Sequence, residues 1–331
     1  MLISVDDAVA RLSKGGIVAL PSETVYGLAG LALDSNSVQE IYTLKGRPAT
    51  NPLIIHVSSV KAAEKLANFS QEAHTFAQNF WPGPLTLILP KKECVPDLVT
   101  AGNPTVALRI PQHPVFLEIL KRLDHPLAAP SANPSNRTSP TEAKHLMELF
   151  GEKCPPTVDG GKCSVGIEST VLDLSREPPT ILRPGAITRK LMKEKTGLDV
   201  GILQAEIANH AGKSTPKSMV SPGMQAVHYA PQTPLFLYSS IENFQRKNYY
   251  KSGDLVVLSN AQKRNHLRED ISELFTLSED GNPHRIAQSL YGMLIELDAR
   301  KANCMHLIFT EDQTGVNRAT WDRLSRAQTK E

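Results

Sequence analysis

Cysteine, aromatic residues and net charge are all scarce in this sequence, and each scarcity removes a class of protein. Only four cysteines occur in 331 residues (Cys94, Cys154, Cys163 and Cys304), and no two form a CxxC pair. That is too few for the disulfide framework of a small secreted domain. Cys154 and Cys163 could pair if oxidised, but idle reduced thiols in a cytoplasmic protein are the expectation. Lysine and arginine nearly balance aspartate and glutamate, for a net charge of +2, and aromatics make up 5% of the chain. A nonspecific nucleic-acid or membrane surface needs clustered excess charge, so neither is expected, although a weak local RNA contact stays open. No apolar run approaches the roughly 20 residues of a membrane span. The start, MLISVDDAVARLSKGG, carries acid where a signal peptide needs base, and it reads as an amphipathic helix. Common site motifs are missing as well: there is no GxGxxG, GxSxG or HExxH. GGKCS has the glycines and lysine of a phosphate loop, but Cys163 stands where serine or threonine should follow. The ten histidines lack ligand spacing, so no structural zinc site and no protein metal ligands are expected.

What is present is the pattern of a mixed α/β protein. A length of 331 residues exceeds what one core usually covers, so two domains are expected. Ser4 and Asp7 mark a capped helix over Ser4–Lys14, stopped by Gly15-Gly16. GIVAL, LIIHV, LTLIL, TVALRI and STVLDL are β-branched apolar runs bounded by Pro, Gly or Ser, and read as strands. Val38, Ile41 and Leu44 share a face of a helix ending at Lys45-Gly46. SPTE (Ser139–Glu142) reads as a helix start with Ser139 as its cap. This first domain runs to residue 208, and a Pro/Ser/Gly-rich linker with no sustained period covers 209–234. Beyond it, residues 235–331 alternate strands (LFLY, LVVLS, HLIFT) with helices (Ile286–Lys301 and ATWDRLSRA). That alternation predicts a small parallel sheet.

Ligands of open α/β sheets sit at strand ends and loops, so polar residues there are the candidates. Lys45 and Arg47 flank Gly46 at a helix end and could grip one phosphate chain, or merely cap the helix. Asn51 follows, on the way to the strand holding His56, which reads equally well as a core histidine or a ligand contact. Arg109, inside an apolar strand, needs a counter-charge, either a structural salt bridge or an anionic ligand. Arg183 ends another strand. Ser131, Asn133 and Ser139 lie in SANPSNRTSPT, whose hydroxyls, amide and following helix suit an anion. Ser169, in GIEST, is a weak candidate taken singly.

Taken together, PSETVYGL, KGRPATNPL, SANPSNRTSPT, GIEST, LRPG and SPGMQAVHYAP follow one another in a specific order and spacing. In these the chain resembles the longer, two-domain form of the YrdC family, the threonylcarbamoyl-AMP synthases, over nearly its whole length. The resemblance implies a twisted open mixed sheet followed by a smaller Rossmann-like α/β domain. It also implies an enzyme, a nucleotidyltransferase, that condenses L-threonine, bicarbonate or CO2, and ATP (with Mg²⁺) into threonylcarbamoyl-AMP and pyrophosphate. A separate complex would then pass the threonylcarbamoyl group to tRNA. By motif position, Thr24, His56, Arg109, Ala129 and Ser169 would bind threonine. Lys45, Arg47, Asn51, Thr105, Ser131, Asn133, Ser139 and Arg183 would bind ATP, and His228 and Tyr229 would close the site. No protein nucleophile or base is assigned. Two departures from the family pattern stand out. Gln225, Ala226 and Val227 replace residues commonly basic or aromatic, and Asn136 replaces a usual glycine, which asparagine's tolerance of left-handed angles permits. The competing readings are an RNA-binding protein and a hydrogenase-maturation relative. The first finds no aromatic–basic interleaving, and the second no zinc-finger-like cysteine sets.

Overall fold

The computed structural model describes residues 1–203, 228–269 and 271–329. Most of the 209–234 linker, with Gln225, Ala226 and Val227, lies outside those residues. The first helix is Val5–Leu12, closed by the expected reciprocal bonds between Ser4 and Asp7. Nine strands then form one sheet: β1 (Val18–Leu20), β2 (Gly27–Leu31), β3 (Ile54–His56), β4 (Leu85–Pro90), β5 (Thr105–Arg109), β6 (Leu127–Ala128), β7 (Thr170–Asp173), β8 (Thr180–Arg183) and β9 (Gly201–Ile202). Their order is β1-β2-β6-β3-β5-β4-β7-β8-β9, with parallel and antiparallel pairs mixed.

Side-chain alternation gives this sheet two faces of different character. Ile55, Leu85, Leu87, Leu89, Val106, Leu108 and Leu172 point one way into the main core, against helices Ser35–Lys45 and Gln71–Phe80. Residues one step along each strand point the other way. There Ile54, Ile88, Ala107, Val171 and Leu182 make a small apolar floor. In the parallel register His56 lies beside Arg109 at one end of that floor. A third cluster packs helices Val5–Leu12 and Pro114–Leu123 behind β1 and β2.

Helix Ser35–Lys45 ends as expected at Gly46, whose φ of 59° is the left-handed cap that glycine adopts freely. One expected start is displaced. The helix after SPTE is Ala143–Phe150 with Glu142 as its N-cap, so Ser139 caps nothing. His145 explains the shift: its Nδ1 accepts from the backbone N–H groups of Thr141 and Glu142.

The second sheet is fully parallel: β10 (Leu235–Tyr238), β11 (Leu255–Leu258), β12 (Leu274–Thr276) and β13 (Met305–Ile308), in the order β10-β13-β11-β12. Helix Pro283–Asp298 buries Ile286, Leu290, Leu294 and Leu297, as its period requires, and helix Gly315–Ala327 closes the chain. Both helices dock on the first domain. Val25 and Ile167 of the nine-stranded domain join the apolar cluster of the second. Gly166 marks the closest approach. Its φ is 80°, and a Cβ there would lie 2.4 Å from Gln288 Cα, so no other residue fits.

Candidate active site

A cavity opens on the sheet face carrying His56 and Arg109. It is lined by Thr24, Arg47, His56, Arg109, Ala129, Ser131, Ser169, Arg183, His228 and Tyr229 from the sequence-derived set. Ser22, Phe116 and Glu168 line it too. Three arginines against one carboxylate make the lining electropositive, as an anionic ligand requires.

One end is organised around Arg109. Its Nε donates to Gly83 O (3.2 Å) and its Nη1 to Thr24 Oγ1 (3.0 Å), while Nη2 sits 2.8 Å from Glu23 Oε1. Arg109 therefore already has a buried counter-charge, Glu23, inside PSETVYG. The signal for it was in plain view, as an acid between two hydroxyls in a motif otherwise rich in apolar residues. His56 stacks on Phe116 with ring centroids 5.0 Å apart, and its Nδ1 has no hydrogen-bond partner among the described residues. Burial, and then the neighbouring Arg109 charge, push its pKa down to about 3, so the ring is neutral. Ser169 Oγ pairs with Thr86 Oγ1 at 2.7 Å and accepts from Arg183 Nη2 at 3.1 Å. Ala129 is held by its N–H to Ile54 O (3.1 Å), which fixes the backbone of the neighbouring wall.

The cations at the other end play different parts. Lys45 is 3% exposed and does not line the cavity. Its ammonium donates to the carbonyls of Ser131 and Asn133, clamping the SANPSN loop to the helix end. Burial pushes its pKa well below the ordinary lysine value, and the Arg47 charge adds to that. Arg47 is the cation that faces the cavity. It donates through Nη2 to Asn51 Oδ1 (2.6 Å) and to Pro52 O (2.8 Å). Asn51 and Asn133 are buried behind it, with Asn51 Nδ2 and Asn133 Oδ1 unpartnered among the described residues. Asn136 has a φ of 67°, the left-handed turn the sequence called for. Thr105 shares the face of Arg109 but starts the strand, roughly 13 Å away along it.

Ser139 is buried outside the cavity wall and donates to Glu168 Oε1 at 2.7 Å. Glu168 is the hub of this side, since its Oε2 accepts from Tyr291 OH (2.9 Å) and Arg323 Nε (3.1 Å) of the second domain. Burial alone would raise the Glu168 pKa, but Arg323 and Arg183 hold it below the usual glutamate value. Glu168, Tyr291 and Arg323 were not foreseen. Arg323 was the traceable one, a charge on the buried stripe Ala319–Thr320–Arg323–Leu324–Ala327 of its helix. Above the hub lie His228 and Tyr229. Tyr229 stacks on Tyr291 (5.8 Å) and under the Arg323 guanidinium (5.7 Å). Its carbonyl accepts from Thr138 Oγ1, and His228 N–H donates to Arg326 O. Burial lowers the His228 pKa to about 3.

Comparison with known proteins shows the family. A family profile described as "Telomere recombination" matches residues 10–185, and one described as "Threonylcarbamoyl-AMP synthase, C-terminal domain" matches residues 187–329. The threonylcarbamoyl-AMP synthase of Pyrococcus abyssi is 37% identical over 97% of this chain and 92% of its own. That of Bacillus subtilis is 37% identical over 97% and 91%. A crystal structure of P. abyssi Sua5 complexed with L-threonine superposes with a TM-score of 0.84 at 36% identity, covering 98% of this chain and 93% of that one. The chain belongs to the two-domain threonylcarbamoyl-AMP synthase family.

Proposed function

We propose that the cavity makes threonylcarbamoyl-AMP from L-threonine, bicarbonate or CO2, and ATP, releasing pyrophosphate. The observation that carries this reading is the pairing, in one cavity, of an Arg109–Thr24–His56 end with an Arg47–Arg183 end. The first end offers a guanidinium, a hydroxyl and a neutral ring, the inventory for a hydroxy amino acid. The second offers two guanidinium forks for phosphates. In this reading Arg109, Thr24, His56, Ser169 and the Ala129 backbone hold threonine. Arg47, Ser131 and Arg183 face the nucleotide, while Lys45, Asn51, Asn133 and Ser139 hold the surrounding loops in shape. Thr105 would be reached only by the far end of the nucleotide.

The reaction is a nucleotidyl transfer. The threonine amine attacks CO2 to give a carbamate, whose oxygen attacks the α-phosphate as pyrophosphate departs. Positioning and charge neutralisation carry such a step, and no protein nucleophile is required. ATP would enter as its magnesium complex. Glu168 is the one carboxylate on the described cavity wall, and its oxygens are taken by Ser139, Tyr291 and Arg323. The ion would therefore be held by the phosphates and water. His228 and Tyr229 would keep bulk water from the labile adenylate, which a tRNA-modifying complex would receive.

The test is pyrophosphate release from ATP by the full chain, with and without threonine and bicarbonate. Release that is indifferent to threonine would overturn the reading. Chelation of Mg²⁺ should abolish it.

A further inference from the structure

The second domain holds a polar cluster that the catalytic reading does not use. Asp254 immediately precedes β11 and Cys304 immediately precedes the neighbouring strand β13, where Leu255 N–H donates to Cys304 O at 3.1 Å. Cys304 and His306 are two apart on one strand and so share a face. Their ligand atoms converge with that of Asp254, all within 4.8 Å of one another.

Two of the three spacings match a tetrahedral site. His306 Nε2 lies 3.3 Å from Asp254 Oδ2 and 3.3 Å from Cys304 Sγ. Around a tetrahedral zinc ion, nitrogen and oxygen ligands stand about 3.3 Å apart and nitrogen and sulfur about 3.5 Å. The surroundings fit as well. His306 Nδ1 pairs with Tyr238 OH at 2.9 Å, which can fix the ring with Nε2 as the free ligand atom. Asp254 Oδ2 is steadied by the Lys251 N–H at 2.8 Å. Phe236 stacks on the imidazole at 5.6 Å and makes one wall dry. Asp254 and His306 are buried, whereas Cys304 is 9% exposed, which leaves a side from which water can complete the set.

We propose that Asp254, Cys304 and His306 bind one Zn²⁺-class ion, with water as fourth ligand, clipping β11 to β13. One thiolate and one carboxylate neutralise a divalent charge, so the filled site adds no net charge to the domain interior. A sulfur donor disfavours Mg²⁺ and Ca²⁺, and the tetrahedral arrangement favours Zn²⁺ and Co²⁺ over square-planar metals. The expectation that no zinc site exists looked for histidine spacing. This set takes one ligand from each residue type and spans 52 positions of sequence.

Co²⁺ alone, titrated into chelator-stripped full-length protein, provides the test. The expected result is one equivalent bound, with the intense visible bands of tetrahedral cobalt and a thiolate charge-transfer band in the near ultraviolet, both erased by Zn²⁺. Cys304→Ser should remove the charge-transfer band and weaken binding at least about tenfold, and Asp254→Asn should weaken it similarly. Zn²⁺ should raise the melting temperature of the parent chain and not of Cys304→Ser. Absence of the bands overturns the proposal, and so does a charge-transfer band that survives Cys304→Ser. Should Cys304→Ser fail to fold, Asp254→Asn decides alone: unchanged affinity overturns the site.

Discussion

Arg323 reaches from the second domain into the first and places its Nε 3.1 Å from the Glu168 carboxylate, with no solvent access to the guanidinium. The same guanidinium donates to Pro184 O at 2.6 Å and lies over the Tyr229 ring. The second domain is therefore a wall of the catalytic cavity's support, and the seam between domains is part of the site.

Breaking that pair should be costly. Arg323→Met leaves Glu168 buried with Ser139, Tyr291 and the Arg183 charge but without its directly bonded cation, and a buried charge that loses such a partner costs up to about 3–5 kcal/mol. Denaturant unfolding should show a loss of that size. Glu168→Gln added to Arg323→Met should recover part of it, because the stranded charge is gone. Strict additivity of the two changes would mean that the pair is not coupled.

Lys45 and Arg47, neighbours in KGR, should behave oppositely. Lys45 holds two loop carbonyls from a buried position, so Lys45→Met should cost about 2 kcal/mol of stability through the freed carbonyls. Its effect on turnover should come from a loosened SANPSN loop. Arg47 is partly exposed on the cavity wall, where water can take over some of its donations to Asn51 and Pro52, so Arg47→Met should cost less stability than Lys45→Met. Its kcat/KM for ATP should fall about a hundredfold or more. Equal stability losses for the two variants would refute this division of labour.

Acid should weaken the fold through its buried histidines. Burial lowers the pKa of His56 to about 3, of His145 to about 4 and of His228 to about 3. In the unfolded chain each titrates near 6.5, so below that pH the unfolded state binds protons that the native state refuses. Stability is thus complete above about pH 6.5 and falls as pH drops toward 4, by up to roughly 1.4 kcal/mol per pH unit for each histidine. His145→Asn lies away from the cavity and keeps an acceptor for the Thr141 and Glu142 N–H groups. Melting curves between pH 7 and 5 should be measurably less acid-sensitive in that variant. An unchanged slope would show that His145 is free to protonate.

How much of this was legible in the sequence depends on the range of each interaction. The Ser4–Asp7 capping box, the Gly46 stop and the alternation in LIIHV and TVALRI are set by neighbours within a few residues and could be read directly, whereas the left-handed Asn136 was expected from the glycine usual there in the resembled family. The Ala143 helix start was misread because His145 Nδ1 takes the Thr141 and Glu142 N–H groups, while Ser139 is engaged by Glu168, 29 positions away. Sequence pattern brought Arg47, Arg109 and Arg183 to one site but could not divide the clamping role of Lys45 from the facing role of Arg47. That division depends on which way each side chain leaves a single helix turn. The Glu168–Tyr291–Arg323 hub spans 155 positions and carries no periodic trace beyond one arginine on an apolar stripe.

The Arg109 guanidinium separates the two readings that its sequence context left open, a structural salt bridge or a substrate contact. It makes two hydrogen bonds, to Gly83 O and Thr24 Oγ1, and a close ion pair with Glu23. A lysine at this position keeps the charge but not the planar fork, so it can satisfy Glu23 while giving up Thr24 and Gly83. If Arg109 serves only Glu23, Arg109→Lys keeps the ion pair and should leave threonine binding intact. If the fork also aligns Thr24 and the substrate carboxylate, the threonine KM should rise tenfold or more while the ATP KM changes by less than about threefold. The second outcome is expected, because Thr24 lines the cavity and Arg109 Nη1 is the group that orients its hydroxyl. Steady-state pyrophosphate release at varied threonine and fixed ATP, then at varied ATP and saturating threonine, measures both constants and decides between them.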